Sequence, residues 1–392
     1  MGKNQVVGLR GVKRVVVLIL INIIIIFILS LCAEYYFRVT SSEFRIGKRG
    51  WKNGVYHSFG IPTQTNRYRF REKEFVMPKP VGLFRVVVVG NSLVWGVGIE
   101  KEDRLTNHLE TLLKEDYPGK NIEILNLSYQ GSSTMDHASI VNTMSDSLAA
   151  DVFILGFCSN DVKPGSQDRS PEKDAFTARF SFLLQGTNDL FTWMGMSNLA
   201  GKIEEEIYHV AVRIGALPTY TEVTQRAYNK DSEDWHNFVG ALEFIYAETS
   251  HGGSDTPIFA VLNQGFAYQK PPGYGDPDEG LQVYLGWTRQ AEEEAKHAGF
   301  DTLNYEKSIA EELPDEDLVV NKWDSHPSAT LHRHYAKGLL EHLHKNGYYY
   351  RSSRKAIKTQ DRNCLFIKLR ENRSYEYEIS QVAGRGQRLR LC

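Results

Sequence analysis

Four short polar motifs in this sequence have the composition of a site for nucleophilic catalysis. They are Gly90-Asn91-Ser92, Gly131 in "SYQGSS", Asn160-Asp161 in "GFCSND", and Asp324 with His326 in "WDSHPS". A serine hydroxyl becomes a nucleophile when an imidazole takes its proton, and a carboxylate must orient that imidazole. We therefore predict Ser92 as the nucleophile, His326 as the base and Asp324 as the residue that orients His326.

The same motifs supply donors for a tetrahedral oxyanion, which requires two or three fixed hydrogen bonds. The predicted donors are the backbone N–H groups of Ser92 and Gly131 and the side-chain NH₂ of Asn160. A glycine at position 131 lets the backbone approach a substrate without a Cβ in the way. Each motif also has a plainer interpretation: Gly-Asn-Ser is a common turn, Asp324 and His326 could cap a helix, and Asn160 could stabilise its own loop.

The first three motifs each follow a short apolar run. "FRVVVVG", "IEILNLS" and "DVFILGF" are too short for helices and are typical of buried parallel strands; "TPIFAVLNQG" predicts a fourth strand and "DTLNY" a weak fifth. Helical patterns alternate with these runs, and Pro327 is predicted to start the last helix. The alternation predicts a parallel sheet covered by helices on both sides, where ligands bind at the carboxyl ends of the strands.

One connection in this pattern is far longer than the others. Between Asn160 and Thr256 the sequence has two apolar stripes with helical spacing. The stripe that starts at Trp235 predicts the helix before the fourth strand. The stripe that starts at Leu199 predicts a helical insertion, at about residues 165–230, that could cap the carboxyl edge of the sheet.

Residues 15–33 are almost entirely apolar, and a helix of that length just spans a hydrocarbon layer of about 30 Å. Small residues of the A-x-A type, which precede the cut in a cleaved signal peptide, are missing. Residues 1–14 carry a net charge of +4, which favours a cytoplasmic amino terminus. We predict a signal anchor over 15–33, an aromatic and basic lead-in segment without clear periodicity over 34–80, and an extracytoplasmic body.

The charge of the chain is unevenly distributed. Residues 15–350 have a net charge of −13, whereas the tail at 351–392 has a net charge of +7. An acidic body repels polyanions, so we expect no nucleic-acid partner. The basic tail could contact an anionic surface or could simply be solvated.

The sequence contains no motif for a metal or an organic cofactor, and we predict neither. The cysteines have no C-x-x-C spacing, and G-x-G-x-x-G, the P-loop motif and the G-x-S-x-G elbow are missing. His332 and His334 lie two apart on a predicted helix and point in different directions, so we expect packed or solvated roles. The glycosylation pattern at Asn126 falls in a predicted buried strand and is attributed to chance.

Taken together, the four motifs resemble the blocks of the SGNH (GDSL-like) hydrolases, with Ser92, Gly131, Asn160 and His326 in the family's order. The resemblance covers about residues 81–347, within a predicted hydrolase-like domain at 81–350, and implies a flavodoxin-like three-layer α/β/α fold and serine esterase activity. Asn91 departs from the family pattern, which has Asp at this place. That substitution changes the charge and hydrogen bonding beside the nucleophile but leaves the predicted triad intact.

We therefore expect a membrane-anchored esterase that acts outside the cytoplasm on a carboxylic ester, with a glycan-linked O-acetyl group as one candidate. Two alternatives stay open. The same triad could transfer an acyl group to an envelope or secreted glycan, and a chain with an inactive site could be a glycan-binding or scaffold protein. Product analysis with and without a sugar acceptor separates the first two.

Overall fold

The computed structural model of the protein describes residues 3–45, 50–52, 55–58, 61–163, 186, 189–251, 256–263, 277–313, 318–321 and 324–348. The predicted basic tail, its two cysteines and most of the glycine- and proline-rich loop around residue 270 lie outside these residues. The strands, in chain order, are β1 Gly50–Lys52, β2 Val55–Ser58, β3 Ile61–Thr63, β4 Phe84–Gly90, β5 Ile122–Ser128, β6 Val152–Phe157, β7 Ile258–Val261, β8 Asp301–Asn304, β9 Val319–Asn321 and β10 Asp324–Pro327.

A five-stranded parallel sheet forms the centre of the fold, with the strand order β5-β4-β6-β7-β8. Numbered within the sheet, this is the 2-1-3-4-5 order of the flavodoxin-like doubly wound folds. All five predicted strands, including the weak fifth, are present. The predicted fold class is therefore confirmed.

Helices cover both faces of the sheet. In chain order, the α-helices of the protein include α1 Lys3–Arg45, α2 Ser92–Trp95, α3 Leu105–Asp116, α4 Thr134–Leu148, α5 Ser197–Arg213, α6 Tyr220–Ala227, α7 Glu233–His251, α8 Pro277–Ala298, α9 Glu306–Glu312 and α10 Ala329–Lys345. Successive residues of a strand point to opposite faces. Val87 and Val89 accordingly pack with α4, α7 and α8, whereas Val86 and Val88 pack with α3 and α10.

Helix α1 is longer than the predicted anchor. Within it, Lys13–Phe37 is long and apolar enough to cross a membrane, a property that signal sequences share. The side chains described between residues 13 and 33 are exposed, apart from two that are partly covered. The predicted lead-in segment contains the end of this helix and a three-stranded antiparallel sheet of β1, β2 and β3.

The structure differs from the prediction near the carboxyl end. Pro327 does not start the last helix: it is the last residue of β10, and α10 begins at Ala329 with the Ser328 side chain accepting from the backbone of Leu331 at 3.3 Å. Serine is a better N-cap than proline because its oxygen satisfies a free amide of the first turn. β10 pairs with β9 as a short antiparallel ladder that the sequence pattern did not predict.

Two glycines let the short helix α2 approach the sheet closely. Gly90 of β4 and Gly156 of β6 are register partners, and Val94 of α2 lies over both. A Cβ added to Gly90 or Gly156 would come within 2.3 or 2.4 Å of a Val94 methyl group. Any larger residue at either position would push α2 away from the ends of the strands.

We expect Gly156→Ala to destabilise the protein by about 1–3 kcal/mol, because the added methyl group overpacks the contact with Val94. Gly240→Ala on α7 is the matched control, since a Cβ there meets no atom within 4 Å. A helical Gly→Ala change without a clash stabilises by about 0.5–1 kcal/mol. Urea unfolding of the detergent-solubilised protein measures both. A Gly156→Ala protein as stable as the wild type would refute the close approach.

Candidate active site

Ser92 lies at the carboxyl end of β4, on the first residue of α2. Asn91 caps the helix, and its Oδ1 accepts a hydrogen bond from the backbone N of Leu93 at 2.8 Å. Gly96 ends the helix in the left-handed conformation. The strand therefore turns sharply into one helical turn, which leaves Ser92 mostly buried, with 7% of its surface exposed at the edge of the sheet.

Asp324 and His326 lie on β10 and are already paired. His326 Nδ1 and Asp324 Oδ1 are hydrogen-bonded, and the backbone N of His326 donates to the same oxygen at 2.9 Å. Both side chains are mostly buried. Helix α2 contacts β10, so the elements that carry Ser92 and His326 lie against each other. Ser92 Oγ makes no hydrogen bond to a described residue, and catalytic hydrogen bonds often form only when substrate is bound.

Gly131 lies on the loop after β5, next to the end of β4. Its φ angle is +74°, a conformation that favours glycine. The loop is held at both sides: the backbone N of Tyr129 donates to the carbonyl of Gly90 at 3.3 Å, and Ser132 Oγ lies 3.2 Å from the same carbonyl. These contacts fix the backbone of Gly131 relative to the strand that leads to Ser92.

A buried histidine contacts this loop. His137 Nε2 lies 3.0 Å from Ser132 Oγ. Burial lowers the pKa of His137 to about 3, so the ring is neutral at pH 7. His137 therefore contacts the Gly131 loop as a neutral ring.

Asn160 follows β6 on a short 3₁₀ helix, Ser159–Val162, beside the ends of the other two strands. Its Oδ1 accepts from Asn91 Nδ2 at 3.4 Å and from the thiol of Cys158. Burial raises the pKa of the Cys158 thiol, which keeps its proton available for donation. The amide oxygen of Asn160 is therefore held by this cluster.

Asn91, the residue that departs from the family pattern, lies beside the buried carboxyl group of Asp161. Asn91 is 1% exposed, and its Nδ2 donates to Asp161 Oδ1 at 2.6 Å, while the backbone N of Cys158 donates to Asp161 Oδ2 at 3.0 Å. Burial raises the pKa of Asp161 to about 8. An ionised aspartate at position 91 would have no hydrogen to donate. Asn91 provides a donor to both Asn160 and Asp161.

Arg71, from the lead-in segment, holds the far end of α2. Its Nη1 donates to the carbonyl of Gly96 at 2.6 Å and its Nη2 to that of Ile99 at 2.8 Å. The guanidinium also lies 4.8 Å from the ring centroid of Trp95, the last residue of α2. Burial, and then the neighbouring Arg104, lower the pKa of Arg71 to about 10, so it stays charged at pH 7. The sequence pattern did not identify this residue.

Several predicted residues have packing roles. His332 Nδ1 accepts from the backbone N of Leu105 at 3.1 Å, and His334 Nε2 lies 2.9 Å from Ser308 Oγ, so both pack within the fold. Asn126 is buried, and its Nδ2 donates to the carbonyl of Val94 at 2.7 Å, which supports α2. Within the described ranges, no three His, Cys, Asp or Glu side chains gather as a metal site.

No protein-family model matches the chain, and no curated protein matches it. Solved structures do match. TesA is 10% identical, with 66% of this chain and 97% of that chain covered and a TM-score of 0.37. A lipolytic protein of the G-D-S-L family from Veillonella parvula DSM 2008 is 11% identical, with coverages of 66% and 97% and a TM-score of 0.37. A variant of Axe2, an acetyl xylan esterase from Geobacillus stearothermophilus, is 13% identical, with coverages of 68% and 95% and a TM-score of 0.40.

The strand order establishes the fold of this chain independently of those similarities. At such low identities, its activity has to be inferred from its own residues. Ser92, Gly131 and Asn160 follow three adjacent strands whose ends are in register, and β10, which carries Asp324 and His326, contacts α2.

We expect Asp161 to make the free energy of unfolding fall as pH rises from about 4 to about 8. The folded protein holds the Asp161 proton up to a pKa of about 8, whereas the unfolded chain releases it near the ordinary pKa of 3.8. This stabilisation is complete below pH 4 and lost above pH 8, with a slope of up to about 1.4 kcal/mol per pH unit. Asp161→Asn should flatten the slope in urea unfolding at pH 5–8. Parallel curves for the variant and the wild type would contradict this role.

Proposed function

We propose that this protein is a serine esterase that cleaves a carboxylic ester through an acyl-Ser92 intermediate. The observation that carries this proposal is the contact between α2, which begins at Ser92, and β10, where Asp324 and His326 are already hydrogen-bonded. A serine, a histidine and a carboxylate are the groups that nucleophilic acyl transfer uses, and here they lie on contacting elements.

The order of proton transfers follows from the hydrogen bond between His326 and Asp324. Nδ1 of His326 faces the Asp324 carboxylate and donates to it, which leaves Nε2 as the basic nitrogen. Nε2 takes the proton of Ser92 as Oγ attacks the ester carbonyl, and returns it to the departing alcohol. Water then attacks the acyl-serine while His326 accepts its proton; the acyl–Oγ bond breaks, His326 returns the proton to Ser92 Oγ, and the acid leaves.

The negative oxygen that forms during both attacks needs donors that are fixed before the reaction. We assign this role to the backbone N–H groups of Ser92 and Gly131 and to the NH₂ of Asn160. Three features support the assignment: the positive φ of Gly131, the contacts of its loop with Gly90, and the orientation of the Asn160 amide by Asn91.

For the substrate we propose an acyl ester. An O-acetyl group on an envelope or secreted glycan is the candidate, because such glycans are accessible to an enzyme outside the cytoplasm. The described residues do not distinguish release of the acyl group to water from transfer to a sugar hydroxyl. Incubation with an acetylated donor, with and without a sugar acceptor, separates the two: free acetate in both samples indicates hydrolysis, and an acetylated acceptor indicates transfer.

We expect Ser92→Ala to lower hydrolysis of a chromogenic acetyl ester on the order of 10³-fold or more, because the acyl acceptor is lost. A fluorophosphonate probe should label the wild type and not Ser92→Ala. Ser132→Ala is the matched control and should still be labelled, because the Ser132 hydroxyl is engaged with carbonyls and His137. Unchanged hydrolysis by Ser92→Ala would refute the assignment, and an unlabelled wild type would favour the non-catalytic alternative.

We also propose that α1 is a signal anchor with its amino terminus in the cytoplasm and the body outside. The positive charge of residues 1–14 and the apolar stretch Lys13–Phe37 support this orientation. In a background with Cys364 and Cys392 replaced by serine, a membrane-impermeant maleimide should label Lys120→Cys in intact cells. Lys3→Cys should react only after lysis, and the opposite pattern would reverse the topology.

A further inference from the structure

A buried carboxylate joins the apolar helix to the helical insertion. Glu34, three residues before the end of the apolar stretch Lys13–Phe37, is 4% exposed. Its Oε2 accepts from the backbone N of Leu199 at 2.8 Å, in the first turn of α5. The first amides of a helix lack partners within it, and a negative group is favourable there. The insertion is therefore attached to the body end of α1.

The chain just before this attachment carries exposed apolar side chains. Residues 189–193 form a short helical stretch, which a turn joins to α5; backbone hydrogen bonds from Met194 to the carbonyl of Leu190 and from Ala200 to that of Met196, both at 3.0 Å, flank this turn. In the helical stretch Leu190 is 53% exposed and Trp193 is 83% exposed. Next to Glu34 on α1, Tyr35 and Tyr36 are 70% and 61% exposed. We refer to Tyr35, Tyr36, Leu190 and Trp193 as the aromatic patch.

We propose that the aromatic patch lies in the interface of the bilayer that α1 crosses, so that the insertion is a second membrane contact. This inference rests on the proposed crossing by α1. Tryptophan and tyrosine have an apolar body and a polar tip, and they concentrate at membrane–water interfaces. We favour the bilayer as the surface that the aromatic patch contacts, because the Glu34–Leu199 hydrogen bond places the patch at the end of the spanning stretch.

The other end of the insertion is attached to the candidate active site. Tyr228, directly after α6, donates from its hydroxyl to the carbonyl of Ser159 at 3.0 Å, and Lys163 Nζ donates to Thr224 Oγ1 at 3.1 Å. Both contacts hold the end of the insertion against the 3₁₀ helix that carries Asn160. The insertion thus connects the membrane interface to the loop of the predicted oxyanion donor, which would hold the site at a fixed height above the bilayer.

Quenching of tryptophan fluorescence tests the membrane contact. The full-length chain is reconstituted into vesicles of lipids brominated on the acyl chain near the headgroup, and into unbrominated vesicles. We expect the brominated lipids to lower the emission of the wild type, because bromine quenches only indoles that lie close to it. In Trp193→Phe, the part of the quenching due to Trp193 should be absent, since the other five tryptophans are unchanged.

The matched control is Val81→Trp in the Trp193→Phe background. Val81 is fully exposed and precedes β4, at the amino end of the sheet, whereas the insertion follows the carboxyl end of β6. Its indole should not be quenched. Glu34→Ala should reduce quenching of Trp193 and speed hydrogen exchange of the Leu199 amide, whereas Glu34→Gln keeps an acceptor oxygen and should behave like the wild type.

Carbonate extraction and ester hydrolysis on the same vesicles separate the proposals. A chain that resists extraction but shows equal quenching in the wild type and Trp193→Phe would overturn the membrane contact alone. A chain that carbonate extracts would overturn the membrane crossing and the contact together. Loss of hydrolysis in Ser92→Ala, measured in parallel, reports on the catalytic proposal independently of both.

Discussion

The candidate nucleophile lies on a helix of four residues, and such a helix is not stable alone, because a first turn fixes several residues for one hydrogen bond. Contacts with the rest of the protein therefore have to stabilise this helix. Asn91 caps its start, the two strand glycines admit Val94 against the sheet, and Asn126 donates to the carbonyl of Val94. Arg71 holds the turn that follows it. Contacts from four separate parts of the chain thus fix the position of Ser92.

Burying Arg71 requires compensation, because a buried charge without partners is strongly unfavourable. Its partners are carbonyls, and the neighbouring Arg104 donates to the carbonyl of Arg71 itself and to Glu72 Oε2 at 3.2 Å. Glu72 also accepts from the backbone N of Asn126. One acidic and two basic side chains therefore tie residues 71 and 72 to α2 and β5. The segment between the apolar helix and the sheet is consequently part of the body that shapes the site.

The sequence predicted β4–β7 because each lies in a buried run of apolar residues, a pattern that depends only on local composition, whereas the half-buried β8 was only a weak prediction. It did not predict β1–β3 or β9–β10, which have three or four residues each and contain at most two consecutive apolar residues. Arg71 was not singled out, and Asp161 was named only as part of a motif, without a role. The distant partners of Arg71 and the raised pKa of Asp161 depend on the folded surroundings, which leave no local signal in the sequence. The roles assigned to Ser92, Asp324 and His326 stay predictions.

Residues 92 and 326 lie far apart in the chain, and the packing of α10 on α3 explains how their elements meet. The His332 ring accepts from the backbone N of Leu105, the first residue of α3, so α10 is linked to the helix that follows α2. This link requires a neutral ring, since a protonated Nδ1 cannot accept. Burial, and then the neighbouring Arg104, lower the pKa of His332 to about 3. The link therefore persists at neutral and mildly acidic pH, and it holds α10, and with it the preceding β10, in place.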